Sequence, residues 1–217
     1  MGIKLMIMEN KLKTYNRIAA VVAFIGLPIF LWTLSDVPSR TFLKDAISLL
    51  TLIAFSCMLM QFYLARSNNK LLKVHRMGSV MKWHKAIGYV FVTVLLFHPL
   101  LIVVPRYFEA GIEREEAFVR MITTFDNPGI VLGLIAWCLM LILGLTSMLR
   151  KQLPITYKTW RIFHGILSIA FIVCASWHVI MLGRHIDMAM TLFMLTAATI
   201  GIFLLLRNYF LPTPKNA

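Results

Sequence analysis

Two histidines interrupt the apolar stretch Trp83–Val104, WHKAIGYVFVTVLLFHPLLIVV, at positions 84 and 98. In an α-helix a separation of 14 residues corresponds to a rise of about 21 Å and a turn of about 1400°, roughly 40° short of four full turns. We therefore expect His84 and His98 to lie on the same face of one membrane-spanning helix, near its two ends.

The same spacing recurs in Trp160–Leu182, WRIFHGILSIAFIVCASWHVIML, where His164 and His178 are again 14 residues apart. Two such helices facing each other would supply two bis-histidine sites, one above the other, and a flat metal macrocycle fits between such imidazoles. Ionisable residues within a membrane are functional candidates by default, so the pattern predicts cofactor ligation. The alternatives are structural polar contacts between helices, a proton path or a metal site.

Composition indicates an all-α integral membrane protein. Of 217 residues, 59% are hydrophobic and 14% are charged, and the mean hydropathy is +0.79. An ordinary soluble domain needs far less apolar sequence than this. Cys57, Cys138 and Cys174 all fall within apolar runs, which favours a packing role over a disulfide framework.

Six apolar runs are long enough to cross a bilayer as helices, which predicts a six-helix transmembrane bundle over residues 18–206. Residues 1–17 would form a cytoplasmic N-terminal segment and residues 207–217 a cytoplasmic tail. The first run, Ile18–Ser35, is long for a signal peptide and no small-residue cleavage site follows it, so we expect a retained span. Pro28 within it is expected to kink the helix.

Positive charge predicts the orientation of the bundle. The two termini and the second and fourth connections carry 16 of the lysines and arginines, whereas the other three connections carry 6. By the positive-inside rule both termini are cytoplasmic, in a multi-pass protein of the bacterial inner (plasma) membrane. The net charge of +13 is then explained by topology and anionic membrane lipid, and no nucleic-acid partner is expected.

This orientation assigns the histidines to pairs. The third and fifth spans would both begin on the cytoplasmic side and run parallel. His84 then lies level with His164, which we call the inner pair, and His98 lies level with His178, which we call the outer pair.

The motifs HKAIGYVFVTVLLFHPLL and KTWRIFHGILSIAFIVCASWH resemble the transmembrane domain of bacterial ferric reductases, a superfamily that includes the NADPH oxidases. The resemblance implies two b-type haems, ligated by the inner pair and by the outer pair, that carry electrons outward from the cytoplasmic side. An iron with two histidine ligands has no open position, which favours electron transfer at the haem edge, so no catalytic side chain is expected.

The resemblance is to a stand-alone form, because no GxGxxG motif or nucleotide-binding fold is present in the sequence. Electrons would come from a separate flavoprotein, a flavin or quinol, and pass to ferric iron, another small molecule or a periplasmic protein. Two alternatives stay open. One is a haem-bearing membrane subunit that serves a periplasmic oxidoreductase, and the other is a haem-free proton or metal transporter.

Further residues near the two histidine levels are candidates for supporting roles. Phe91 and Phe171 each lie seven residues from both histidines of their helix, so their rings either point between the haems or fill the apolar core. Glycines 88 and 165 would either admit a macrocycle or serve helix packing. Candidate partners for propionates or substrate are Lys82, Lys85, Lys158 and Arg161 on the inner side, and Arg106, Arg184 and His185 on the outer side.

Overall fold

A computed structural model describes residues 2–110 and 114–210. Within these ranges, side chains are described for all residues except 2–5, 104–110, 114, 115, 117, 120, 121 and 208. The side chain of Arg106 and the tail residues 211–217 therefore lie outside the described part of the chain. The described residues are helical with no strand, which confirms the all-α prediction.

The helices follow one another with short connections. They are α1 (Gly2–Val21), a π-helical turn (Val22–Gly26), α2 (Leu27–Leu34), α3 (Phe42–Tyr63), α4 (Asn69–Val74), α5 (Met77–Ala110), α6 (Arg114–Thr123), α7 (Pro128–Met148), α8 (Tyr157–Leu182) and α9 (Met188–Phe210).

Six helical segments in the described chain are long and apolar enough to cross a membrane, which confirms the predicted number of spans. They are Met6–Leu34, Phe42–Tyr63, Met77–Val103, Pro128–Met148, Tyr157–Leu182 and Met188–Arg207. The first differs from its predicted bounds, because α1 already begins at Gly2 and continues into the apolar run. The segment predicted to precede the bundle is therefore helical and continuous with the first span.

A kink was predicted at Pro28, and the structure has a π-helical turn shortly before this proline. In this turn the N–H of Leu27 donates to the carbonyl of Val22, five residues back. Pro28, which has no N–H to donate, follows this turn directly. The wider turn lets the first span pass through the proline as one continuous helical segment.

The core of the bundle lies around α3, which packs against α5, α9 and the first span. Leu59 on α3, Ile172 on α8 and Met194 on α9 are completely buried members of one apolar cluster. In contrast, Trp83, Val90 and Phe97 are spaced by seven residues on α5 and are exposed on the surface of the bundle. That face suits contact with lipid, and the histidines of α5 lie away from it.

The other half of the bundle is organised by α7, which packs closely on α8 and also contacts α5. The beginning of α7 is fixed by Asn127, whose side-chain oxygen accepts from the N–H groups of Gly129 and Ile130 at 2.9 and 3.4 Å. Pro128 occupies the first helical turn, where proline is favoured. This cap sets the position of α7 next to the outer histidines.

Candidate functional site

The outer pair forms a direct ring-to-ring arrangement between α5 and α8. The ring centroids of His98 and His178 are 6.4 Å apart and the ring planes cross at 78°. A metal held between two imidazole nitrogens at about 2 Å from each, the metal–imidazole distance typical of zinc sites, would place the centroids roughly 6 Å apart. The observed separation therefore fits a single metal centre between the two rings.

The orientation of His178 is fixed from α7. Its Nδ1 lies 2.7 Å from the carbonyl oxygen of Gly129, and since a carbonyl only accepts, Nδ1 carries the proton. Nε2 then keeps its lone pair, as a metal ligand requires. One turn along α7, Gly133 lies so close to the ring that an added Cβ would be 2.5 Å from Nδ1 of His178.

His98 has a different environment from its partner. Its Nδ1 is buried and has no hydrogen-bond partner among the described residues. His98 and His178 lie near enough for a charge on one ring to act on the other. The outer pair thus combines one ring whose Nδ1 is bonded to a backbone carbonyl with one ring whose Nδ1 has no partner among the described residues.

His84 on α5 and His164 on α8 form the inner pair, and the two rings are near enough for a charge on His84 to act on His164. Trp160, one turn before His164, stacks on its ring with centroids 5.0 Å apart and planes 28° apart. The indole N–H of Trp160 donates to the carbonyl of Thr146 at 3.2 Å. His164 is therefore oriented by an aromatic ring that is itself anchored to α7.

A serine supplies a second contact to His164. The hydroxyl of Ser147 on α7 lies 3.3 Å from Nδ1 of His164, at the long end of hydrogen-bonding distance. Helix α7 therefore contacts one histidine of each pair while carrying no histidine itself. These supporting residues, Gly129, Gly133 and Ser147, were not identified from the sequence, because small residues in an apolar helix have no distinctive pattern.

Gln61 on α3 supports His84. Its side chain is 9% exposed, and the groups around the amide favour the orientation with its nitrogen towards His84. That nitrogen then lies 2.8 Å from Nδ1 and 3.0 Å from the backbone carbonyl of His84, and the amide oxygen accepts from the N–H of Gly88 at 3.1 Å. Gln61 was not identified from the sequence, although a glutamine within an apolar span indicates that a polar partner is nearby.

The donor set favours a macrocycle over a bare ion. Within residues whose side chains the structure describes, no group of three or more His, Cys, Asp or Glu side chains is arranged to hold a metal. Each pair offers two imidazoles, which suits an iron whose other four positions are filled by a porphyrin. The residues present therefore fit haem as the group held between α5 and α8.

The phenylalanines and glycines singled out in the sequence pack against neighbouring helices. Phe171 is a buried member of the apolar core, and Phe91 packs against the same core. Gly165 packs against the Tyr209 hydroxyl of α9, so its role here is helix packing. At Gly88 an added Cβ would be 4.0 Å from the Gln61 amide, an ordinary contact distance.

Of the outer candidates, Arg184 and His185 contact the first span and the loop that follows it. The guanidinium of Arg184 donates to the carbonyl of Pro38. His185 is buried and packs against Trp32 with centroids 4.4 Å apart and ring planes tilted by 32°, and its Nδ1 lies 2.5 Å from the Ser35 hydroxyl. Burial lowers the pKa of His185, with Asp45 raising it and Arg40 lowering it to a smaller extent.

Of the inner candidates, Lys82, Lys85 and Lys158 are exposed. The guanidinium of Arg161 lies 5.9 Å from the centre of the Tyr157 ring. The backbone carbonyl of Arg161 accepts from the Tyr209 hydroxyl at 2.9 Å, which ties α9 to the beginning of α8.

Comparison with known proteins identifies the family. Residues 50–175 match the family described as ferric reductase like transmembrane component, a range that contains His84, His98 and His164. An uncharacterized protein of Archaeoglobus fulgidus is 42% identical over 160 residues, which cover 74% of this chain and 87% of that protein. No solved structure matched the chain. The match to more than half of its length shows that the chain belongs to the ferric reductase like transmembrane component family.

Proposed function

We propose that this protein carries electrons across the membrane through two b-type haems, one ligated by His84 and His164 and the other by His98 and His178. The family supports transmembrane electron transfer in general, and its members typically bind haem. The observation that best supports ligation by histidine pairs is the geometry of the outer pair. Its ring centroids are 6.4 Å apart, and the Nδ1–H of His178 is bonded to a backbone carbonyl.

The protein's own residues act by holding and orienting imidazoles. A bis-histidine iron supplies reversible one-electron chemistry with no open position for a ligand. Gly129 fixes the tautomer of His178, and Trp160 with Ser147 orients His164. Phe171, midway between His164 and His178 along α8, belongs to the apolar core, and apolar surroundings limit the access of water to a bound cofactor.

The proposed direction runs from a cytoplasmic-side donor to an acceptor at the outer face, such as ferric iron. The donor would be a separate flavoprotein, a flavin or quinol, and the acceptor a small molecule or a periplasmic protein. With the membrane potential negative inside, an electron that moves fully outward gains about 2.3 kcal/mol per 100 mV. The field therefore assists export of electrons.

We further propose that both termini are cytoplasmic in a bacterial-type inner membrane, with the haem-binding bundle in residues 18–206. The support is the distribution of 16 against 6 basic residues over alternate connections. Fusions of a fluorescent reporter that folds only in the cytoplasm test this placement. A fluorescent fusion after Arg40 or a dark fusion after Gln152 would overturn it.

The haem assignment is tested by a pyridine haemochrome assay on the detergent-purified protein, with reduced-minus-oxidised spectra. We expect about two haems per chain in the parent and about one in His84→Ala and in His98→Ala, each variant losing a different spectral component. His75→Ala is the matched control, because His75 lies between the second and third spans and should leave both haems in place. Two haems with unchanged spectra in either ligand variant would refute the assignment.

A further inference from the structure

Three arginines converge on Tyr157, the first residue of α8, at the inner end of the bundle. The guanidinium carbons of Arg66, Arg150 and Arg161 lie 5.4, 4.1 and 5.9 Å from the centre of its ring. Arg66 follows α3, Arg150 follows α7 and Arg161 lies near the beginning of α8. Three separate elements therefore bring like charges around one ring, and we call these three residues the arginine cluster.

The arginine cluster lacks a counterion within the described part of the chain. None of its guanidiniums forms an ion pair with a described carboxylate, and Nε of Arg66 is buried with no hydrogen-bond partner there. Of the 9 aspartates and glutamates in the sequence, Glu9 is the one that the proposed topology places on the inner side, and it pairs with Lys13. Because like charges held close together repel, an anion from another molecule would stabilise this arrangement.

Tyr157 also begins a stack of rings that leads to a histidine of the inner pair. Its ring is nearly parallel to that of Trp160, with centroids 6.0 Å apart and planes 15° apart. Trp160 in turn stacks on His164 with centroids 5.0 Å apart. Since Tyr157 is 37% exposed, the stack runs from the inner surface to a proposed haem ligand. This path favours an electron donor over a membrane phospholipid as the source of the anion.

The surface around the arginine cluster is open. Arg150, Lys151, Tyr157 and Lys158 are all exposed. An enclosed pocket suits a small molecule, whereas an open and strongly basic surface suits the acidic face of a protein. The excess of positive charge on the inner side would also steer such a protein towards this surface.

We propose that the arginine cluster and Tyr157 form the docking site for a soluble electron-donor protein with an acidic surface. The inference rests on the proposed electron transfer and names the kind of donor. Carboxylates of the donor pair with the guanidiniums and bring its redox group against Tyr157. One electron leaves the donor, which is oxidised, and reduces the ferric iron held by His164, while no bond in this chain forms or breaks.

The probe for this site is flavodoxin, a small acidic flavoprotein. Its binding to the full chain in nanodiscs of uncharged lipid is measured by surface plasmon resonance, and haem reduction by its reduced form is followed by stopped-flow absorbance. In the parent, both should weaken as the ionic strength rises from about 0.01 M to about 0.15 M, because the Debye length falls from about 30 Å to about 8 Å. At the lower ionic strength, the double variant Arg66→Gln/Arg150→Gln should bind flavodoxin about tenfold more weakly and be reduced about tenfold more slowly.

The matched control is Lys70→Gln/Arg76→Gln, which removes the same amount of charge from the inner side. Both residues are exposed between α3 and α5, and Arg76 lies near enough to Glu9 to act on its charge. This variant should bind flavodoxin as the parent does. Reduced riboflavin, which is uncharged at its side chain, should reduce the parent and both variants at equal rates.

Equal binding of flavodoxin to the parent and to the arginine variant would overturn this inference and leave the proposed function standing. Reduction by FMN that slows in the arginine variant as much as reduction by flavodoxin would overturn it too, since a site for a small phosphate would explain both. Loss of the inner haem from that variant, with flavodoxin binding unchanged, would instead assign the cluster to the haem propionates. A parent that binds no haem would overturn the proposed function and, with it, the role of this surface in electron entry.

Discussion

A methyl group at position 133 tests the outer pair directly. In Gly133→Ala the new Cβ would lie 2.5 Å from Nδ1 and 2.6 Å from Cε1 of the His178 ring. Ordinary contacts begin near 3.4 Å, so the ring has to withdraw by about 0.9 Å. Withdrawal stretches the 2.7 Å hydrogen bond from Nδ1 to the Gly129 carbonyl and changes the position of the His178 ring relative to His98.

The expected free-energy cost of Gly133→Ala has two contributions, the lost hydrogen bond and the overpacking of the ring. Loss of a neutral hydrogen bond costs about 1 kcal/mol, and overpacking of a tight contact costs about 1–3 kcal/mol. Together they amount to about 2–4 kcal/mol. If this cost falls on binding of the outer haem, the affinity should drop roughly 30-fold to 1,000-fold.

Haem content per chain and the reduced-minus-oxidised spectrum of purified protein measure the effect of Gly133→Ala. We expect the variant to lose the same spectral component as His98→Ala and to keep the component that depends on His84. Gly144→Ala is the control on the same helix, because its Cβ would lie 3.9 Å from its nearest neighbour, Val92. Full haem content with an unchanged spectrum in Gly133→Ala would refute the placement of His178 against α7.

Three further variants probe other contacts. Gly165→Ala should displace the Tyr209 hydroxyl, which costs one hydrogen bond, or about 1 kcal/mol of stability. The unfolding temperature should therefore fall, while the haem content at saturation stays constant. Gly88→Ala should retain both haems, because its Cβ meets only the Gln61 amide at 4.0 Å; loss of the inner haem would instead show that the macrocycle needs this glycine. Burial lowers the pKa of His185 below 6.5, so the folded protein binds fewer protons than the unfolded chain, and stability should fall as the pH decreases through 6.5. Thermal melts of the parent and His185→Gln should differ by a constant amount at high pH, and this difference should change only as the pH falls from about one unit above that value to about one unit below it.

The fold could be predicted from the sequence because its determinants are local. Six apolar runs of bilayer length specify six helices, and the repeated separation of 14 residues places two histidines on one face of α5 and of α8. The pairing of His98 with His178 was predicted from the number of spans together with the distribution of basic residues. It agrees with the ring-to-ring contact in the structure.

The supports of the histidines could not be predicted in the same way, because they depend on contacts between helices distant in the sequence. Gln61 reaches His84 from α3, and Ser147 reaches His164 from α7. No local pattern shows which face of α3 or α7 will meet a histidine. From the sequence, His185 was a candidate partner for propionates or substrate, and its contact with Trp32 of the first span could not be predicted.

The spacing of contacts along α7 limits how this family can vary in length. Gly129 contacts the outer pair and Ser147 the inner pair, and the two are 18 residues apart. At about 100° per residue, 18 residues complete five turns, so both contacts fall on one face of the helix. Insertion or deletion of a single residue between them would rotate one contact by about 100° and withdraw it from its histidine. Substitutions between Gly129 and Ser147 that spare Gly133 are therefore compatible with the site, whereas length changes are not, and related chains should preserve this interval.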